Sequence, residues 1–337
     1  MSFFSNTFLV TLISIITFGA VYYATSLFNQ TISDEEMEKW MSKLPDNKKI
    51  VLINIPGSHD SAAFNMMTSV SDKVAQCQSL NITEQLKIGI RKLDLRTAIS
   101  ILGNLICCHG ICDCYYVDEE DSRKVLQYKV ILSELKNFLE NHPTEFIFFS
   151  TRSGRGITYN NLERSSKAFE EEIPESMRVK FNKDLTLGDV RGKLVYDFYK
   201  TGETDEDGNN IYNLGYEGGS GLDEIHKQYA DYNTWKADGD LKVIELKELW
   251  GTYDNITISD AENDFKKNPI KYPLEYSVSC TGESTNIIPQ PKAQSEIVNP
   301  FISEYNLKKG SYYGWMNMDF ATLELAKKFV ATNFNEN

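Results

Sequence analysis

Residues 81–99, NITEQLKIGIRKLDLRTAI, read as one helix-to-strand unit. Asn81 or Thr83 is placed to cap a short helix over ITEQLKIGI, and RKLDLRTAI continues as a strand. The same alternation extends in both directions. KKIVLINIPGS (48–58) reads as a buried strand ending in a Pro-Gly turn, and NLICCHG (104–110) as a short strand. Residues 123–141 carry Val125, Leu126, Val130, Leu132, Leu135, Phe138 and Leu139 at helical spacing, and His142-Pro143 stops that helix. EFIFFSTRS (145–153), KLVYDFY (193–199), LKVIELKELW (241–250), LEYSVSC (274–280) and SYYGWMNMDF (311–320) read as further strands. Helices are predicted near 160–173, 293–305 and 320–333. Eight strands separated by helices or loops predict an α/β fold, a closed and mostly parallel TIM-type (βα)8 barrel of about 250 residues. No linker divides the body, so residues 34–337 read as one barrel after an N-terminal segment, 1–33.

The chain has 337 residues, with 35 Lys and Arg against 48 Asp and Glu, a formal charge of -13. So acidic a surface repels phosphate backbones, which excludes nucleic acid as the expected partner. It also repels anionic headgroups, so contact with a membrane calls for an anchor rather than a basic patch. Thr7 to Phe28 (TFLVTLISIITFGAVYYATSLF) supplies 22 mostly apolar residues, enough to cross a hydrocarbon core of about 30 Å. A cleaved signal peptide competes with an uncleaved transmembrane anchor, Gly19, Ala20 and Ala24 offering small residues for cleavage. Either places the body in the secretory lumen or outside the cell. Sequons at Asn29, Asn81 and Asn255 agree with that compartment as sites for a glycoprotein. A monomer is expected.

In a parallel barrel the chemistry sits at the C-terminal ends of the strands. His59 and Asp60 follow the first strand. Asp94 and Arg96 end the second, His109 the third, Arg152 the fourth and Asp319 the last. Two imidazoles, a guanidinium and carboxylates suit acid–base chemistry on a phosphate ester: one imidazole takes a proton from a hydroxyl, the other protonates the leaving oxygen. The guanidinium holds non-bridging oxygens as charge develops, and a carboxylate behind the base fixes its tautomer. Each residue alone also has an ordinary structural reading, Asp94 and Arg96 as an ion pair and Asp319 as a helix cap.

IPGSHDSAAF, GIRKLDLRTA, CCHG, EFIFFSTRSG, RGKLVYDFYK and YYGWMNMDF occur in the order seen in the X domain of phosphatidylinositol-specific phospholipases C. The chain resembles the bacterial-type, single-domain members from about Ile50 to Phe320. The resemblance implies an irregular (βα)8 barrel. By position it makes His59 the general base on the inositol 2-hydroxyl and His109 the general acid on the diacylglycerol oxygen. Arg96 binds the phosphate, Asp60 sits beside it, and Asp319 orients His59. The products implied are diacylglycerol and inositol 1,2-cyclic phosphate, from phosphatidylinositol or a glycosyl-phosphatidylinositol. Animal members bind Ca²⁺ through an Asn after the first His and a carboxylate pair in the second motif. Here Asp60 and Arg96 stand at those places, so no metal and no cofactor are expected. For headgroup contacts, Arg152 falls near a family Lys, Tyr199 or Lys200 near a family Arg, and Tyr253 near a tyrosine that stacks under the inositol ring. The catalytic set is retained and the sugar-reading set departs from the pattern.

Cys107, Cys108, Cys112 and Cys114 crowd around His109 in CCHGICDC. Zinc ligation is one reading, although neighbouring residues in a strand face opposite ways and no spacing is CxxC. Disulfides, with Cys77 and Cys280 as further partners, are the expectation for an oxidising compartment. Ile287, Ile288 and Trp315 are candidates for a rim that dips into a bilayer. Two rival functions are a catalytically inactive lipid- or glycan-binding barrel and a metal-dependent glycerophosphodiesterase. The second needs a Glu-x-Asp pair where this chain has Asp94-x-Arg96.

Overall fold

The computed structural model describes residues 32–155, 159–198, 239–267, 275–277 and 291–334. Its strands are β1 (Ile55–Ser58), β2 (Lys92–Ile99), β3 (Leu105–His109), β4 (Cys112–Asp113), β5 (Tyr115–Val117) and β6 (Arg123–Val125). They continue with β7 (Ile147–Ser153), β8 (Arg178–Lys180), β9 (Leu194–Phe198), β10 (Glu275–Ser277) and β11 (Trp315–Met318). The main path runs β10-β11-β1-β2-β7-β9-β8, and every pairing along it is parallel. The last strand therefore lies against the first, as a TIM-like barrel requires.

Alternation along the strands sorts the barrel interior into layers. In β2, Lys92, Asp94 and Arg96 share one face, whereas Leu93 and Leu95 turn outward into the buried helical layer. The lowest layer is aromatic: the Phe148 ring lies 4.8 Å from Trp315 and 5.7 Å from Phe181. Trp315 is thus a floor residue of the barrel and not a rim residue. Above it, Gly57 leaves room for two polar side chains. A Cβ there would stand 2.6 Å from Asn317 Oδ1 and 3.0 Å from Lys92 Cβ. The Pro-Gly dipeptide lies within β1, and Ile50–Leu52 forms a single 3₁₀ turn where a continuous strand was expected.

Outside the strands, the helix Ile82–Lys87 starts at Asn81. Glu84 N–H donates to the Asn81 side chain at 2.9 Å, and Asn81 N–H donates back to the Glu84 carboxylate. The next helix, Tyr128–Asn141, buries Ile131, Leu132, Leu135, Phe138 and Leu139 along one stripe. It begins later than its apolar pattern suggested, because Arg123–Val125 pairs as a strand with Tyr115–Val117. Helices Tyr159–Glu172, Pro291–Glu304 and Leu323–Ala331 lie where periodicity placed them.

Two predicted barrel strands are something else. NLICCHG forms β3, an antiparallel arm on β2 that continues into β4. LKVIELKELW lies in a helix, Gly239–Tyr253, which buries Leu246, Leu249, Trp250 and Tyr253 at helical spacing. The strand β8 at Arg178–Lys180 joins the sheet instead. Thr7–Phe28, Asn29, Lys200, Cys280, Ile287 and Ile288 lie outside the described residues, and among the described residues no helix is long and apolar enough to cross a membrane.

Candidate active site

Sheet register assembles the site. Ser58 pairs with Met318, so the next residues, His59 and Asp319, emerge side by side from β1 and β11. Gln78 ties both strand ends, donating from Nε2 to the His59 and Met318 carbonyls at 2.8 Å each. His59 Nδ1–H donates to Asp319 Oδ1 at 2.8 Å, which leaves Nε2 as the acceptor nitrogen. Arg96 Nη2–H donates to that nitrogen at 2.5 Å. His59 is therefore held neutral, in the tautomer of a base. Burial pushes its pKa below the ordinary imidazole value, with the Arg96 charge acting in the same direction and Asp319 opposing.

Arg96 pairs in register with Arg152 on the neighbouring parallel strand. Two adjacent guanidinium groups repel unless a carboxylate stands between them, and Asp94 does so. Arg152 Nε lies 3.0 Å from Asp94 Oδ1, and Arg96 Nη2 lies 3.3 Å from Asp94 Oδ2. Burial resists ionisation of Asp94, but Arg152 and Arg96 outweigh it and hold the carboxyl well below the usual carboxylate range. Gly154 makes the close approach possible, since a Cβ there would stand 2.9 Å from Arg96 Cβ and 2.7 Å from Cys108 Sγ.

His109 reaches the same space from the end of β3. Its ring lies 6.1 Å from that of His59, nearly perpendicular to it. The Nδ1–H donates to the Ala75 carbonyl at 2.7 Å, and Nε2 faces Asp60 Oδ2 at 3.9 Å. Asp60 is fully buried with φ +36°, a left-handed conformation that is strained for a non-glycine residue and directs the carboxylate into the site. Among the described residues neither of its oxygens accepts a hydrogen bond, although Arg96 Nε stands 3.4 Å from Oδ2. Burial pushes the Asp60 carboxyl up, and Arg96 opposes that shift. A buried carboxyl with open acceptor sites beside an imidazole is suited to exchanging a proton with it.

The structure thus brings together His59, Asp60, Arg96, His109, Arg152 and Asp319. Tyr253 requires a correction: it is 1% exposed, with Tyr312 and Tyr313 at ring distances of 6.0 and 6.3 Å, so its ring packs in the core and does not offer a face to a sugar. The cysteine expectations are corrected as well. Cys77, Cys107, Cys108, Cys112 and Cys114 are all free thiols. Register sets Cys108 opposite Asp113 and His109 opposite Cys112, and among the described residues no three metal-ligating atoms that include a hairpin cysteine come together. Cys77 and Gln78 were not singled out for the site from sequence. They lie in a loop after the short helix Ser69–Ala75, where no periodicity or motif marks them.

Residues 46–169 match the PI-PLC X family model (PI-PLC X 1), and this segment includes every site residue above except Asp319. The 1-phosphatidylinositol phosphodiesterase of Staphylococcus aureus (strain Newman) is 27% identical over 304 residues, covering 84% of this chain and 88% of that protein. The human PI-PLC X domain-containing protein 1 is 28% identical over 170 residues, covering 42% of this chain and 49% of its own length. Among solved structures, a mutant of phosphatidylinositol-specific phospholipase C from Staphylococcus aureus superposes with a TM-score of 0.64 at 18% identity, covering 90% of this chain and all of that one. Residues 46–169 are thus similar to the X domain of phosphatidylinositol-specific phospholipases C, and the fold is similar to that of the bacterial enzyme.

Proposed function

We propose that this protein cleaves phosphatidylinositol, or a glycosylated form of it, to diacylglycerol and inositol 1,2-cyclic phosphate. One observation carries the reading: a neutral His59, backed by Asp319 and faced by Arg96, stands across from His109 at the mouth of a parallel barrel. Arg96 leaves His59 Nε2 to hold the phosphate with Arg152. The freed Nε2 then takes the proton of the 2-hydroxyl, whose oxygen attacks the phosphorus. That hydroxyl belongs to the substrate, so attack is intramolecular and gains in effective concentration. His109 and Asp60 share a proton at Nε2, and the imidazolium delivers it from there to the departing glycerol oxygen. Arg96 and Arg152 supply the positive charge a divalent ion would bring, so the reaction runs without calcium.

The lipid surface is met by a ring of exposed apolar side chains. Met67, Val70, Ile101, Leu102, Ile111 and Val117 are all exposed; Met67 and Val70 follow β1, Val70 on the short helix Ser69–Ala75, and the other four lie between the end of β2 and the helix Tyr128–Asn141, Val117 on β5. The apolar stretch Thr7–Phe28 anchors the body to a membrane on its luminal or outer side, or is removed to release it.

The test is incubation of the full chain with phosphatidylinositol in mixed micelles containing EDTA, products being followed by phosphorus NMR. A cyclic phosphate signal that is absent with His59→Ala and His109→Ala is expected. Turnover that requires added calcium would overturn the calcium-free reading. If phosphatidylinositol is untouched and a glycosylated inositol lipid is cleaved, the headgroup is the glycosylated one.

A further inference from the structure

The thiol of Cys77 has no part in the proposed chemistry. It is fully buried, and its Sγ lies 3.6 Å from His109 Nδ1. Nε2 of the same imidazole stands 3.9 Å from Asp60 Oδ2. One ligand atom from each of Asp60, Cys77 and His109 lies within 4.8 Å of the other two. A second such group, His59, Cys77 and Asp319, shares the same sulfur. We propose that Asp60, Cys77 and His109 form a binding site for a thiophilic divalent cation, with Zn²⁺ as the type ion, and that its occupation shuts the active site down.

The chemistry of the donors selects the ion. A thiolate, an imidazole and a carboxylate suit zinc or cobalt, whereas calcium and magnesium take oxygen ligands. Tetrahedral zinc needs ligand atoms roughly 3.3–3.8 Å apart, given bonds of about 2.0–2.3 Å, so closure by about 1 Å completes the site. The Ala75 carbonyl already holds the Nδ1 proton of His109, an outer-shell contact of the kind that orients a ligating imidazole and leaves Nε2 its lone pair, so Cys77 Sγ, nearest Nδ1 in this structure, turns toward Nε2 and Asp60 to share the ion. Asp60, buried and without a hydrogen-bond donor on either oxygen among the described residues, is the open acceptor in the group. Arg96, 3.4 Å from Asp60, opposes a cation. The thiolate offsets that opposition, since coordination removes the Cys77 proton and adds a second negative charge beside the carboxylate. The hairpin cysteines contribute nothing: among the described residues no group of three such ligands includes Cys107, Cys108, Cys112 or Cys114.

Binding stands on this geometry alone, while inhibition rests on the proposed lipase reading, because the ion would take both His109 and Asp60 out of the reaction. The experiment reads the two separately. Co²⁺ titrated into the chelator-treated full chain is expected to give a near-ultraviolet thiolate-to-cobalt band at one ion per chain. The band is expected to persist in Cys112→Ser and to vanish in Cys77→Ser and Cys77→Ala. ¹¹³Cd NMR of the unsubstituted chain needs no variant, and a shift typical of one thiolate ligand is expected. In the lipid assay, Zn²⁺ is expected to abolish turnover and EDTA to restore it. Cys77→Ser is expected to need at least ~100-fold more Zn²⁺, since outer-shell changes alone cost ~10–100-fold. No cobalt band, a band that survives in both Cys77 variants, or a cadmium shift typical of several thiolates overturns the proposal. A cobalt band with no lipid turnover under any condition upholds the site and counts against the lipase reading alone.

Discussion

His59 makes two hydrogen bonds, one at each ring nitrogen, and they fix both its tautomer and its charge. A neutral base is needed for turnover, and burial keeps this one neutral below the ordinary imidazole pKa of about 6.5. The acid limb of kcat/KM is therefore expected below pH ~6.5. Asp319 favours the imidazolium, so Asp319→Asn is expected to move that limb lower still and to reduce kcat by roughly 10²–10⁴-fold through loss of the tautomer. A pH–rate profile of both proteins checks this; an acid limb that rises in the variant would contradict the assignment. At this scale the site was legible where a polar residue terminates a recognisable strand, as with His59, Arg152 and Asp319. His109 reaches the site from an element other than the one its sequence suggests, since β3 is an antiparallel arm on β2 and not a barrel strand. Tyr253 was misplaced because a tyrosine near a motif says nothing of which way its helix turns, and the three-residue stripe Leu246, Leu249 and Trp250 turns it inward.

Among the elements, the 3₁₀ segment Asp34–Lys43 is tied to the barrel around a buried ion pair of the barrel itself, Met41 N–H donating to its carboxylate and the Glu38 carbonyl accepting from its guanidinium. Arg91 Nη2 lies 2.9 Å from Glu145 Oε2, both fully buried, and the same guanidinium donates to the carbonyls of Leu86, Ile90 and Glu38. Removing one partner strands a charge in the interior, so Glu145→Ala is expected to cost about 3–5 kcal/mol in urea unfolding. A loss under ~1 kcal/mol would show that water or another group replaces the carboxylate. Elements with a clear period were readable: the capped helix at Ile82–Lys87, the stripe of Tyr128–Asn141 and the strands β2, β7, β9 and β11. Val243-Ile244, a β-branched pair, suggested a strand where the burial of Leu246, Leu249, Trp250 and Tyr253 makes a helix. β8 has only three residues, too few for any periodic signal, and its place is set by pairing with β9.

For the whole molecule, the polar interior layer faces the end of the barrel that carries the exposed apolar side chains. On the proposed function, an acidic body that extracts a headgroup from a membrane gains from that coincidence. Ile101→Asp combined with Ile111→Asp is expected to weaken vesicle binding and lower turnover on vesicles by at least ~10-fold, since each side chain withdrawn from lipid forfeits about 1.5–3 kcal/mol. Turnover of a short-chain monomeric substrate is expected to stay within twofold, and an equal loss on both substrates would show that the residues support the site itself. The barrel was legible because its strands alternate with helices. The exposed apolar side chains were not, because they are scattered over loops, the short helix Ser69–Ala75 and β5 without a common period. The central claim, that the substrate's own hydroxyl is the nucleophile and His59 its base, is tested most directly with a phosphatidylinositol analogue lacking the 2-hydroxyl, in EDTA, with phosphorus NMR as readout. No phosphate release is predicted, together with competitive inhibition of phosphatidylinositol cleavage; release of a linear inositol phosphate from the analogue would mean that water attacks and that His59 and His109 do not act as the base and acid of an intramolecular displacement.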